Sequence, residues 1–224
     1  MKLSPCTNYM DYLANSKSPD SSFLYHPVLP AEVKLEILSF SNNKSHGLYS
    51  CPAQVLKYAC DIISPVLAEI INISISSEVY PSKLKISKIR AIFISDDETD
   101  ALNNGPISLL SNFNKMFEKI IYNRMVCFIE QHSILNLSQY GFRQGHSTHH
   151  AIIDIVEAIQ LNMDRRLFTC GIFIDLKKAF DTVDHKILLD KLYHYGFRGI
   201  INEWFESYLA DRIQTTQTGS HISD

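Results

Sequence analysis

The chain has 224 residues, a formal net charge of -3 and 46% hydrophobic residues, enough apolar material for one large domain or two small ones. That charge excludes a surface that is basic throughout and leaves a local groove as the way to hold nucleic acid. Five cysteines with no C-x-x-C spacing read as reduced thiols of an intracellular protein, cytoplasmic or nuclear, and exclude a disulfide framework or zinc site. The start, MKLSPCTNYMDYL, lacks the apolar core of a signal peptide, and no run is long enough to cross a bilayer. Asn43, Asn72 and Asn136 begin N-x-S triplets that read as chance matches without a secretion signal. Eight glycines, about half the average usage, point to a helix-rich α+β chain with few tight hairpins.

Residues 1–27 are polar and punctuated by Ser, Asn and Pro, the pattern of a flexible lead-in. PAEVKLEILSF then places Val33, Ile37 and Leu38 on one helical face, with Pro30 where a helix can begin. QVLKYACDIISPVLAEIINISISSEVYP predicts one or two helices, interrupted or kinked near Pro65. KLKISKIRAIFIS alternates charged and apolar residues and predicts a strand. The acidic loop DDETDALNNGP follows. Asn112 is a candidate N-cap for a helix with Phe113, Met116, Phe117, Ile120 and Ile121 at helical spacing.

A polar loop, LNLSQYGFRQGHST, leads to Ser147 or Thr148 as the cap of HHAIIDIVEAIQLNMDRR. Gly171-Ile-Phe-Ile reads as a short buried strand. HKILLDKLYHYG is a helix closed by Gly196, and IINEWFESYLADR is another. The Thr-rich end, with its Gly-Ser turn, reads as the first half of a β-hairpin. There are no internal repeats.

The chemistry-bearing stretch is GIFIDLKKAFDTVDH, residues 171–185. An aspartate that closes an apolar strand is poorly placed for packing. Asp175 either caps the following helix or holds a divalent cation at a strand end, as phosphoryl-transfer enzymes position magnesium. Phe180 lies a turn beyond the acid, where it can floor a sugar-binding pocket. Asp181 and Asp184 read as turn and helix-start residues. FISDD, residues 93–97, reads as a surface acidic loop. Lys83, Lys85, Lys88 and Arg90 read equally as a solvated edge strand or as a phosphate-tracking strip. His146, His149 and His150 lack a further ligand and read as loop or helix-start residues. Trp204, Phe205 and Tyr208 fall at helical spacing and read as core.

IFIDLKKAFDTVDHKILLDKLYHYGFRG resembles the first palm block of reverse transcriptases of non-LTR (LINE-type) retrotransposons. GPISLLSNFNKMFEKIIYNRM and SQYGFRQGHSTHHAI resemble two finger blocks of that family, and FLYHPVLPAEVKLEIL its N-terminal extension. The blocks occur in the family's order. The resemblance implies an incomplete right-hand polymerase: a lead-in over 1–27, N-terminal extension and fingers over 28–167, and a partial palm over 168–224.

It further implies Asp175 as the first metal-binding and catalytic aspartate, the Leu176 carbonyl as companion ligand, and Phe180 as the steric gate against a 2′-hydroxyl. Arg143 belongs to the nucleotide-binding fingers. The implied parent activity is magnesium-dependent DNA synthesis from deoxynucleoside triphosphates on an RNA template and DNA primer. Gly105 stands where the family carries a basic residue, and Ser95-Asp96-Asp97 where it carries lysines. Neither a Pro-Gln-Gly block nor a Tyr/Phe-x-Asp-Asp follows Asp175, so the expectation is an inactive fragment of a reverse transcriptase. The alternative is a non-catalytic nucleic-acid-binding or scaffold protein that reuses the fingers.

Overall fold

The computed structural model describes residues 9–42, 47, 51–93, 104–176, 179–218 and 221–222. The described elements are helix-rich, with helices α1 (Tyr9–Asn15), α2 (Pro30–Ser39), α3 (Ala53–Tyr58), α4 (Cys60–Ser76), α5 (Asn112–Gln131), α6 (Thr148–Asp164), α7 (His185–His194) and α8 (Ile200–Leu209). The strands are β1 (Ile86–Phe93), β2 (Asn104–Leu109), β3 (Ile213–Thr218) and β4 (His221–Ile222). The α+β expectation therefore holds. The chain divides into two compact units, one made of residues up to Phe128 together with those from His185, the other of Ile129–Asp184. This division differs from one placed at residues 27 and 167: α7 packs against α1 and α8 against α4, so both helices belong with the N-terminal half.

The first unit is closed by aromatic packing. Trp204 and Phe205 of α8, Tyr80, and Phe117 of α5 are all buried. The rings of Trp204 and Phe117 stack at 5.8 Å, and Tyr80 meets Trp204 edge-on at 5.4 Å, geometries that suit the aromatic quadrupole. Two polar groups carried into this core are partnered: the Trp204 indole N–H donates to Ser74 Oγ at 3.0 Å, and the Tyr80 hydroxyl donates to Asn114 Oδ1, whereas Asn114 Nδ2 is buried without a partner among the described residues. Tyr208 donates to Glu118 at 2.8 Å.

Residues 9–27, expected as a flexible lead-in, are folded in this unit from Tyr9 onward. Tyr9 donates to Asp190 at 2.8 Å, Ser18 Oγ donates to the His194 carbonyl at 2.6 Å, and Arg198 reaches Ser22 and Ser18 at 3.1 Å each. Phe23 packs against Phe128 and Phe197 with ring centroids 5.7 and 5.2 Å away. Composition misses this because short polar side chains satisfy the backbone of α7 instead of water.

α2 begins at Pro30, whose missing N–H costs nothing in a first turn; Val33 and Ile37 are buried as expected, while Leu38 is exposed. Arg124 clamps this helix through a two-pronged contact to Glu32, at 3.1 and 2.7 Å. The expected break near Pro65 falls instead at Ala59, between α3 and α4, with Pro65 inside α4. Asn72 is spent on the backbone of Val28, accepting from its N–H at 2.7 Å and donating to its carbonyl at 3.1 Å.

The sheet has the order β2-β1-β3-β4. β1 pairs antiparallel with β2 and parallel with β3, from Ile86↔Ile213 to Ile89↔Thr216; β3 pairs antiparallel with β4. β2 covers a stretch expected partly as loop, and its Pro106 is tolerated because β2 is an edge strand that can spare an N–H.

Two expectations follow. Gly196 has φ +100°, and a Cβ there would meet Phe128 Cζ at 2.9 Å and the Ser21 carbonyl at 3.0 Å; Gly196→Ala should cost about 2 kcal/mol in urea unfolding. Burial, and then the Glu118 carboxylate, push the Tyr80 hydroxyl above its ordinary value of 10.0, and the same two causes raise Tyr208. Both phenols keep their protons in the folded chain after the unfolded chain has lost them. Stability should therefore fall as pH rises above 10, by about 1.4 kcal/mol per pH unit per tyrosine, and Tyr80→Phe should flatten that slope in urea titrations at pH 8 to 11.5.

Candidate functional site

The implied site residues Arg143, Asp175, Leu176 and Phe180 all belong to the second unit. Gly171-Ile-Phe-Ile is expected as a buried strand closed by Asp175. The structure corrects this: the segment forms no strand, and Ile172, Phe173 and Ile174 are 84%, 88% and 83% exposed. A strand exists through its ladder, and among the described residues none pairs with this one. β-branched and aromatic residues fit a pleated, half-covered surface but do not create it. Asp175 and Leu176 are accordingly exposed and outside any strand.

Phe180 lies in the turn that precedes α7. Thr182 Oγ1 donates to the Ala179 carbonyl at 3.1 Å, and the Val183 N–H to the Phe180 carbonyl at 3.5 Å. Asp181 is in that turn and Asp184 directly precedes α7, the positions expected of turn and helix-start acids. The Phe180 ring meets Phe142 edge to face, with centroids 5.8 Å apart. No local pattern announces this pair; the two residues stand 38 apart in the chain, and only folding joins them.

Arg143 is held by an ion pair to Glu130, with Nε and Nη2 at 3.3 and 3.4 Å from the two carboxylate oxygens, and by the Asn136 carbonyl at 3.4 Å. The guanidinium is thus oriented before any ligand arrives. Tyr140 donates to Asp154, and that hydrogen bond raises its hydroxyl above the ordinary value.

His150 Nδ1 accepts from the Ser147 N–H at 3.2 Å, at the start of α6, which makes this histidine a capping group. Among the described residues no three His, Cys, Asp or Glu side chains gather where they could hold a metal ion. A magnesium pair about 4 Å apart requires several hard oxygen ligands, and Asp175 with a neighbouring carbonyl does not fit that requirement. Asp96 and Asp97, and with them the acidic-loop reading of FISDD, lie outside the described residues.

Lys83, Lys85, Lys88 and Arg90, read as either edge strand or phosphate strip, do not share one face: Lys85 is buried while Lys83 and Arg90 are exposed. Trp204 and Phe205 are core, as expected. No helix among the described residues is long and apolar enough to cross a membrane.

Residues 103–223, more than half of the chain, match the family described as "Reverse transcriptase (RNA-dependent DNA polymerase)". The chain belongs to the reverse transcriptase family. The match takes in Arg143, Asp175, Leu176 and Phe180. Similar proteins of Drosophila melanogaster include the probable RNA-directed DNA polymerase from transposon BS, 30% identical over 209 residues, which are 91% of this chain and 23% of that protein.

A second is the probable RNA-directed DNA polymerase from transposon X-element, 30% identical over 168 residues, 71% of this chain and 18% of that protein. The RNA-directed DNA polymerase from mobile element jockey is 28% identical over 161 residues, again 71% and 18%. The likeness to reverse transcriptases of non-LTR retrotransposons is thereby shown, and the chain spans about a fifth of the length of these relatives.

Exposure without a ladder has a measurable consequence. Backbone amides of residues 171–176 should exchange with solvent at nearly unprotected rates, while those of Ile120 and Ile121, buried in α5, should exchange only through global unfolding. Hydrogen exchange followed by mass spectrometry separates the two, and slow exchange across 171–176 would show that the segment is covered after all.

Proposed function

We propose that this chain is part of an RNA-directed DNA polymerase of a mobile element, carrying the N-terminal extension, the fingers and the opening of the palm of a right-hand polymerase. What supports this reading is the family match across residues 103–223, which takes in the finger and first palm blocks in order. In the whole enzyme Asp175 and the Leu176 carbonyl would be two of the several oxygen ligands that magnesium needs, Phe180 would face the sugar of the incoming deoxynucleoside triphosphate, and Arg143 would serve the fingers. RNA template and DNA primer are the polymer partners.

In the transition state the triphosphate and attacking 3′-oxygen share several negative charges, which polymerases offset with two divalent ions. Magnesium keeps its waters unless several hard ligands converge. One aspartate and one carbonyl therefore hold it weakly or not at all, and the 224 residues contain no Tyr/Phe-x-Asp-Asp after Asp175. Gly105, in β2, also removes a positive charge expected near the phosphates.

The chain by itself should extend no primer on an RNA template with magnesium or manganese. Because Asp175 is exposed, Asp175→Ala should change stability by less than about 0.5 kcal/mol. Primer extension that vanishes in Asp175→Ala would show instead that further carboxylates reach the site from elsewhere, a second chain included. RNA binding that weakens steeply with salt, in the absence of extension, would favour the non-catalytic binding role.

A further inference from the structure

Phe142 adopts φ 59°, the left-handed region that bulky side chains avoid. Its ring is 88% exposed and buries itself in no core. It instead meets the Phe180 ring at 5.8 Å and an interplanar angle of 86°, while Phe180 is itself 78% exposed. The loop around Phe142 is held on both sides: Gln139 Nε2 donates to the Gly141 carbonyl at 2.9 Å, the His146 N–H to the Arg143 carbonyl at 3.2 Å, and Arg143 is fixed by Glu130. A strained residue survives where its surroundings over-determine it, and here the result is an aromatic edge set against a second, mostly open ring.

We propose that Phe142 is a positioning residue for Phe180, fixing the gate ring in one orientation so that the pair forms the surface against which the sugar of a nucleoside triphosphate stacks. An isolated exposed phenylalanine turns about its side-chain torsions and discriminates poorly against a 2′-hydroxyl. An edge-to-face partner removes that freedom, so Phe142 sets the strength of the preference for deoxyribose. The inference rests on the reading of Phe180 as the sugar-facing gate and adds the residue that makes it rigid.

The test uses the full chain with 4-fluorophenylalanine at position 180, titrated with dATP and with ATP in magnesium and followed by fluorine NMR. Phe142→Gly removes the ring and accepts the positive φ, and Phe142→Tyr keeps an aromatic edge. Before any nucleotide is added, Phe142→Gly should shift and sharpen the resonance of residue 180. The unsubstituted chain should bind dATP more tightly than ATP. Phe142→Gly should shrink that ratio about two- to tenfold, the range of an aromatic pair, while Phe142→Tyr restores it.

A ratio unchanged in Phe142→Gly would overturn the positioning role and leave the gate reading standing. No response of residue 180 to either nucleotide in the unsubstituted chain would overturn the inference, because neither ring then meets the sugar in this chain. Circular dichroism of both variants should match the unsubstituted chain, since neither ring supports a core.

Discussion

The first unit depends on bringing Trp204 into an apolar core without orphaning its indole N–H. The partner is Ser74, 130 positions earlier, at 3.0 Å, and Ser74 in turn donates to the Val79 carbonyl at 2.6 Å. An unpaired buried donor carries a desolvation penalty of about 1–3 kcal/mol, so α4 and α8 must meet in one register. That requirement aligns Tyr80 with Phe117 and Trp204, places Tyr208 beside Glu118, and lets Arg212 pair with Glu118 at 3.6 Å and lie 4.4 Å over the Tyr208 ring. A unit formed from the two ends of the chain, with residues 129–184 inserted between them in sequence, follows from it.

The same principle ties down the N-terminal residues. Ser16 lies 2.9 Å from the His194 ring, Ser18 accepts from Arg198, and the Phe23 N–H donates to the Gly196 carbonyl at 2.8 Å. These polar contacts close the C-terminal end of α7, where the last carbonyls of a helix need donors. Gly196 with its positive φ allows the chain to turn there. β1 then receives β3 in parallel, a pairing that a tight turn cannot make and that needs a long crossover connection.

The segment that carries Asp175 shows the opposite situation. Its residue types are those of a buried strand, but hydrogen-bonding partners for its backbone are supplied by no described neighbour. α6 likewise buries no side chain, although Ile152, Val156 and Ile159 recur along it. Apolar pattern states which surfaces want cover; it does not provide the cover. What the second unit does fix is local and polar or aromatic: Arg143 on Glu130, Tyr140 on Asp154, and Phe142 on Phe180.

The sequence by itself determined the local elements and the family. The helix start at Pro30, the cap at Ser147, a strand within KLKISKIRAIFIS and the core role of Trp204 were legible, because propensity, capping and 3.6-residue periodicity act over a few neighbouring residues; the cap of α5 is Ser111, whose Oγ accepts from the Asn114 N–H at 3.1 Å, and not Asn112. Asp175, Arg143 and Phe180 were singled out by spacing and resemblance. The tertiary structure alone decided the parallel β1–β3 pairing, the docking of residues 9–23 on α7, the loss of the expected strand at 171–174 and the meeting of Phe142 with Phe180. Each depends on a partner far away in the chain, and no local pattern specifies which distant group will satisfy a hydrogen bond or cover a ring.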